Sequence, residues 1–262
     1  MTDTDAYAAP KPRGEGERGP QAGNFHAEGR TVDAGHGWDW IAEGFALFRR
    51  QPGMWILTVL LLGILFIAIS MIPVLGSLAN ALLFPLFGAG LMLGCKEQDQ
   101  GGEFAINHLF AGFKHKTGNL VMVGVFSMIG WLVIALVIIA VIGGGVFMAI
   151  IRGGILGAGL SIASILIAAL LAAGLSVPLY MATWFAPALI VLHDVAPGAA
   201  LKASFFACLK NWMPFLVYGV VLLVLGIVAT IPAGLGYLVL VPVLIASVYT
   251  AYRDIFCAGH EP

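Results

Sequence analysis

The sequence predicts an all-α polytopic membrane helix bundle: six transmembrane helices in three helix-pair units, each preceded by an amphipathic interfacial helix. Three observations predict it. Of 262 residues, 60% are hydrophobic and only 10% charged, whereas a soluble domain carries about a quarter charged residues. The apolar residues gather in charge-free runs of membrane length. One short aromatic–basic phrase recurs three times, each time just ahead of such a run. This composition excludes a water-soluble fold, a wholly disordered chain and a disulfide-stapled secreted module. A net charge of −1 provides no general attraction to nucleic acid.

Residues 1–36 hold four of the 13 cations (Lys11, Arg13, Arg18 and Arg30), six of the 14 acids, many glycines and prolines, and almost no aliphatic side chains. Such a stretch buries too little apolar area to offset its conformational entropy, so it is expected to be a disordered cytoplasmic tail. A transmembrane domain over 37–257 and a short tail over 258–262 follow. No signal-peptide core occurs before Met54, so the first span is expected to remain as a signal anchor.

A helix of about 20 apolar residues crosses a hydrocarbon core about 30 Å thick. Met54–Ile72, Ser77–Cys95, Leu120–Ile142, Met213–Ile231 and Leu235–Tyr252 each meet that requirement without a charge. Ile155–His193 is a run of 39 residues with no charged side chain. As one straight helix it would measure about 58 Å, so it is either two short spans or one long tilted one. Cations near span ends mark the cytoplasmic side. One crossing, over about 160–193, puts Arg49, Arg50, Lys96, Lys114, Lys116, Lys202, Lys210 and Arg253 on one side and leaves Arg152 alone on the other. Two crossings move Lys202 and Lys210 outside and largely abolish that bias. Six spans are therefore expected, with both termini cytoplasmic in a bacterial inner membrane.

The recurring phrase is F-A-x-(F/L)-(R/K)-polar. It reads Phe45-Ala46-Leu47-Phe48-Arg49-Arg50 before the first span, Phe110-Ala111-Gly112-Phe113-Lys114-His115 before the third, and Phe206-Ala207-Cys208-Leu209-Lys210-Asn211 before the fifth. The second span of each unit carries a proline (Pro85, Pro178, Pro242) and closes on a cation–acid doublet: Lys96-Glu97, His193-Asp194 or Arg253-Asp254. Each phrase lies on an amphipathic stretch, with Trp38, Ile41, Phe45 and Phe48 at helical spacing in the first. Ile106, Leu109, Phe110 and Phe113 follow in the second, and Leu201, Phe205, Leu209 and Trp212 in the third. An apolar stripe ending in cations suits a helix in the headgroup layer; it equally suits a cover packed under the span ends. Asp39 and Glu43 near the start and Arg49-Arg50 at the end of the first match the helix dipole.

The second unit is longer than the others. Its extra piece holds Gly143-Gly144-Gly145, Gly153-Gly154, Gly157 and Gly159 around Arg152, and predicts an outer-face excursion, re-entrant or surface-lying, or a kinked and tightly packed helix start.

Chemistry-bearing groups are sparse. No Asp, Glu, Lys or Arg falls inside the six spans, which argues against a proton- or sodium-driven transporter. Asn80, Ser127, Ser161, Ser164 and Thr183 are the main polar groups at depth, each able to bond a neighbouring helix or its own backbone. Cys95, Cys208 and Cys257 have no paired spacing and are expected to be reduced thiols. His108, His115 and His193 lie near the inner interface without metal-ligand spacing. The common hydrolase, nucleotide and zincin motifs are absent. An enzyme would have to draw on Glu97, Glu103, Asp194 or Asp254. The residues thus propose no catalytic group, no metal and no cofactor.

Gly35-His36-Gly37-Trp38-Asp39-Trp40 leading to Leu47-Phe48-Arg49-Arg50-Gln51-Pro52, Trp184-Phe185-Ala186-Pro187-Ala188-Leu189, Ala200-Leu201-Lys202-Ala203-Ser204-Phe205 through Lys210-Asn211-Trp212, and Ala251-Tyr252-Arg253-Asp254-Ile255-Phe256 together resemble an uncharacterised family of proteobacterial multi-pass inner-membrane proteins. The resemblance covers roughly residues 35–257 and implies no catalytic residues. The A-L-K-x-S element is similar, more distantly, to the membrane domain attached to some glycerophosphodiester phosphodiesterases, whose soluble catalytic domain has no counterpart here.

The expected role is a non-enzymatic scaffold or accessory protein that contacts anionic lipid through Arg49, Arg50, Lys114, Lys116, Lys202 and Lys210, with a membrane-protein partner or a second copy as further company. The alternatives are a facilitator or channel for a small or apolar solute and, more weakly, a lipid-modifying enzyme using Asp194 and His193.

Overall fold

The structure, a computed structural model, describes residues 24–258; positions 1–23 and 259–262 of the expected tails lie outside the described residues. Nine α-helices occur among them: α1 His36–Arg50, α2 Pro52–Ser70, α3 Leu75–Asp99, α4 Thr117–Arg152, α5 Gly154–Trp184, α6 Ala186–His193, α7 Pro197–Lys210, α8 Trp212–Thr230 and α9 Tyr237–Phe256. Six segments are long and apolar enough to cross a membrane: α2, α3, α4, α5 with α6, α8 and α9. The all-α polytopic bundle is therefore the fold.

Local chemistry sets the helix boundaries. α1 carries Asp39 in its first turn and Arg49 and Arg50 in its last, charges that oppose the helix dipole at each end. It stops at Gln51, whose backbone is not helical, because Pro52 opens α2 as its first residue; proline has no N–H to lose there and disfavours helix in the residue before it. The second interfacial element is a 3-10 helix, Ile106–Phe113, and not the α-helix expected. Phe104 anchors its lead-in by stacking on Trp55 at 3.9 Å. The Trp55 indole N–H in turn donates to Gln98 Oε1 at 3.2 Å.

The glycine-rich piece of the second unit forms no separate re-entrant or surface-lying element; it continues α4 and turns directly into α5. α4 runs unbroken through Gly143-Gly144-Gly145 for 36 residues, about 54 Å of helix. It reverses at Gly153 and Gly154, whose φ values of +62° and +54° suit glycine. α5 returns alongside: a Cβ on Gly145 would lie 2.1 Å from the Ser164 side chain, and one on Gly157 would lie 2.5 Å from the Ala149 carbonyl. Each of these glycines costs a helix about 1 kcal/mol at most, too little to break an apolar helix of this length. The span expected at 120–142 is accordingly longer, and the one expected at 160–193 starts at the reversal.

α5 and α6 together make the single long crossing, broken at Phe185. The backbone bond that Phe185 would make to Met181 is replaced by a side chain of α7. Ser204 Oγ donates to the Met181 carbonyl at 2.7 Å and accepts from the Phe185 N–H at 2.9 Å. Pro187, in the first turn of α6, is the sequence reason for the break.

The three interfacial elements close a ring. Gly44 of α1, in unit one, sits on α9 of unit three, where an added Cβ would be 2.9 Å from the Val243 carbonyl and 2.7 Å from the Ser247 nitrogen. Gly112 of the 3-10 helix, in unit two, sits on α3 of unit one, 2.0 Å by the same measure from the Leu86 carbonyl. Ser204 of α7, in unit three, is bound to Met181 at the end of α5 in unit two. Each unit therefore docks on the preceding unit's second span, at or just beyond its repeated proline.

The expected tail boundary at residue 36 is corrected. Residues 24–35 run back over the end of α9, where strand β1 (Asn24–Phe25) pairs antiparallel with β2 (Cys257–Ala258). The His26 N–H donates to the Phe256 carbonyl and the Arg30 N–H to the Ile255 carbonyl, both at 2.8 Å. Asn211, fully buried, accepts from the Val32 N–H and donates to the Arg30 carbonyl. Backbone pairing and a few polar side chains, with only Phe25 and Val32 packed against the core, hold this arm, which is why a composition argument passes over it.

Candidate functional site

Six crossings bring the three aromatic–basic phrases to one end of the bundle, and the rest of each phrase decides which side chains stay outside. The variable residue of each points inward: Leu47 and Cys208 are each 3% exposed, and Gly112 is buried. The leading phenylalanines point outward to nearly equal extents, Phe45 at 42%, Phe110 at 40% and Phe206 at 45%. The fourth position diverges: Phe48 is buried, whereas Phe113 and Leu209 are exposed. Four residues beyond each leading phenylalanine stands an exposed cation, Arg49, Lys114 or Lys210. In the α-helices α1 and α7 residues four apart share a face, and the Arg49 guanidinium lies 5.8 Å from the centre of the Phe45 ring; in the 3-10 helix the two positions are only neighbours in sequence, Lys114 standing just past its end.

The six cations expected at the lipid surface divide into two groups. Arg50 donates to the Gln98 carbonyl at 2.7 Å, and Lys116 pairs with Asp194 at 2.6 Å; both serve the protein's own packing. Arg49, Lys114, Lys202 and Lys210 have no ion pair among the described residues.

The cation–acid doublets are not internal pairs; their members tie separate elements together. Glu97 takes His108 Nε2 at 2.8 Å, while His108 Nδ1 accepts the Ala105 N–H at 3.1 Å, which places the ring proton on Nε2. Asp254 binds Arg30, His36 and the Trp40 indole, fastening the arm and α1 to α9. Arg253 donates through Nη1 to both oxygens of Asp99 at 2.6 and 2.7 Å and through Nη2 to Glu43 at 2.6 Å. That cluster joins α1, α3 and α9, one element from each seam it touches.

Among the described residues His193 and Asp194, the pair considered for a lipid-modifying enzyme, face different partners. His193 stacks on Phe25 at 3.8 Å with Nε2 3.9 Å from Cys257 Sγ, while the neighbouring Asp194 turns away to Lys116. Burial pushes the Cys208 thiol up to about 12 and raises that of Cys257 as well, the reverse of what a nucleophilic thiolate needs. Among the described residues no three His, Cys, Asp or Glu side chains form a metal-capable group. Sequence reasoning missed Ser204, Asn211 and Asp99; only the proline at 187 hinted that a break near it would need a polar partner.

No family model and no solved structure matches the chain. Over 252 residues it is 30% identical to a probable inner membrane protein of Burkholderia thailandensis, in an alignment covering 86% of this chain and 92% of the relative. The match lends no support to the distant resemblance to glycerophosphodiester phosphodiesterase membrane domains, which rested on Ala200–Ser204, where Ser204 has a structural task. At that identity and coverage, and with six apolar helices of membrane length, the chain belongs to the family of that inner-membrane protein and is itself an integral, multi-pass protein of the inner membrane.

Proposed function

We propose that the protein is a non-enzymatic scaffold or accessory protein that gathers anionic lipid around the basic end of its bundle, with that end and both termini cytoplasmic. The observation that supports this reading is the threefold exposed pair Phe45–Arg49, Phe110–Lys114 and Phe206–Lys210. Aromatic rings settle at the headgroup level of a bilayer, and each cation beside an anionic leaflet adds about 1 kcal/mol. The ring of contacts among the three units brings the three pairs to the same end of the bundle, which supports a common leaflet for them. A facilitator is supported less well, because two of the glycines that would line its path, Gly145 and Gly157, are taken up in closing α4 onto α5. A lipid-modifying enzyme is supported less well again, because His193 and Asp194 turn to different partners. The long apolar faces of α2, α4, α5 and α8 leave room for a membrane-protein partner or a second copy.

The test is extraction of the full-length protein from mixed phosphatidylglycerol and phosphatidylcholine membranes in native nanodiscs. Arg49→Glu with Lys114→Glu should lower the phosphatidylglycerol share around the protein toward that of the bulk membrane. An unchanged share would sink the reading.

A further inference from the structure

Only the third copy of the repeat has a second cation on the same face. Four residues before Phe206 stands Lys202; the matching positions before Phe45 and Phe110 are Ile41 and Ile106. Lys202, Phe206 and Lys210 form an i, i+4, i+8 row along α7, about 12 Å from first to last. At this copy, and facing this row, a cleft of about 390 Å³ opens between α7, the end of α6 and the arm 24–35, with Phe25, Leu189 and Val195 among its apolar lining. That volume lies in the range of sites that hold small ligands, roughly 300–1,000 Å³.

The cleft joins two kinds of surface. Its floor is apolar, while its α7 wall carries two lysines with no ion pair among the described residues. Lys210 Nζ donates to the Glu28 carbonyl oxygen at 3.3 Å, which fixes its head at the rim without cancelling its charge. α7 runs into the membrane span α8 through Asn211, so the cleft lies level with the span ends. A soluble anion would leave the floor wet, and a neutral lipid would leave the lysines unmatched. An amphiphile with a phosphate head satisfies both.

We propose that this cleft binds one anionic phospholipid, its phosphate taken by Lys202 and Lys210 and the apolar part next to the phosphate laid over Phe25, Leu189 and Phe206. The inference deepens the lipid-contact reading and rests on it, but differs in kind: the surface pairs enrich lipid, whereas the cleft holds a single molecule saturably. Glu28 lines the same cleft, and its carboxylate opposes an anion there.

The experiment is titration of the full-length protein, in neutral detergent, with short-chain phosphatidylglycerol, followed by native mass spectrometry and calorimetry. One saturable equivalent is expected. Lys202→Ala should weaken it about five-fold, the effect of one cation at an anionic group. Glu28→Gln should tighten it, a gain that a misfolded variant cannot mimic. Arg152→Gln, at the far end of α4, should leave it unchanged. Glycerol 3-phosphate should bind at least about ten-fold more weakly, since it cannot use the floor. Binding without saturation, an inert Lys202→Ala, a weakening by Glu28→Gln, or equal binding of glycerol 3-phosphate would each overturn the cleft. If Lys202→Ala is inert while the Arg49 and Lys114 variant still loses lipid enrichment, only the cleft fails; if wild type enriches no anionic lipid, both readings fail.

Discussion

Ser204 closes the break at Phe185 from a different helix, its hydroxyl donating to the Met181 carbonyl and accepting the Phe185 N–H. Both backbone groups lie where water cannot replace the lost helical bond, and Ser204 is fully buried. Ser204→Ala strands one donor and one acceptor, each costing about 1–3 kcal/mol when buried unsatisfied. The expected result is a lower thermal midpoint in detergent, by several degrees or more. Ser176→Ala, which removes only a bond from a side chain to its own helix, serves as the control and should change little. Equal midpoints for the two variants would refute the bridging role.

Arg253 and Asp99 are a second joint of the same kind, a bidentate pair linking α9 to α3. Both side chains are mostly buried, so removing one partner leaves a charge poorly solvated. Asp99→Asn should cost about 1.5–3 kcal/mol. Asp99→Asn combined with Arg253→Gln should cost less than the sum of the single changes, because they share one interaction. Additive losses in a double-mutant cycle would show that the pair is not coupled.

Glu43 also accepts from Arg253, but with the opposite sense. Burial raises its carboxyl above its ordinary value of 4.5 by more than the Arg253 charge lowers it. The folded protein then binds a proton more tightly than the unfolded chain does. The stability this contributes is complete below pH 4.5 and is lost as pH climbs through the raised folded value. Glu43→Gln removes that titration. Unfolding midpoints measured between pH 4 and 7 should shift in favour of the variant as pH rises; a shift toward wild type would reverse the sign assigned to burial.

The glycines separate by what surrounds them. A Cβ on Gly112 would lie 2.0 Å from the Leu86 carbonyl, while at Gly143, inside α4, nothing lies within 4 Å. Gly112→Ala should pry the 3-10 helix off α3 and destabilise the protein by more than 1 kcal/mol, the order of forced overpacking (about 1–3 kcal/mol). Gly143→Ala should be neutral or stabilise by up to about 1 kcal/mol through helix propensity. Thermal midpoints of the two variants in one detergent decide it, and a stabilising Gly112→Ala would remove the close docking on which the ring depends.

The spans were legible because charge is nearly absent from them, and the repeat because its phenylalanines and prolines keep their places. Partner choice was not legible. An apolar stripe on α1 says that a face will be covered, not that α9 from the far end of the chain covers it. The phrase itself misdirects on this point: its leading phenylalanines stay outside, and its variable residues Leu47, Gly112 and Cys208 turn inward. Ser204 and Asn211 were hidden for a related reason. A lone hydroxyl or amide near a span end reads as solvated until a broken helix or a returning backbone is set against it. Gly143-Gly144-Gly145 misled in the other direction, because glycine's cost to a helix, about 1 kcal/mol per residue, is small against 36 residues of continuous apolar helix.

Chain direction through six crossings puts Arg152 at one end of the bundle and Lys114 at the other, and the proposed orientation makes the Lys114 end cytoplasmic. Single cysteines at the two positions test this directly, with Cys257, the half-buried native thiol, replaced by serine to lower the background; Cys95 and Cys208 are buried. In intact cells a membrane-impermeant maleimide should label Arg152→Cys at once and Lys114→Cys only after permeabilisation. The reasoning is electrostatic. Among the described residues nine cations, Arg30 included, stand at one end and one at the other, the asymmetry that orients multi-pass proteins, and Arg152, at the tip of the α4–α5 hairpin, is too little to reverse it. The opposite labelling pattern would invert the protein and take the aromatic–basic pairs away from the leaflet proposed for them. Labelling of both positions from outside would make the number of crossings between them even and undo the single passage of α4.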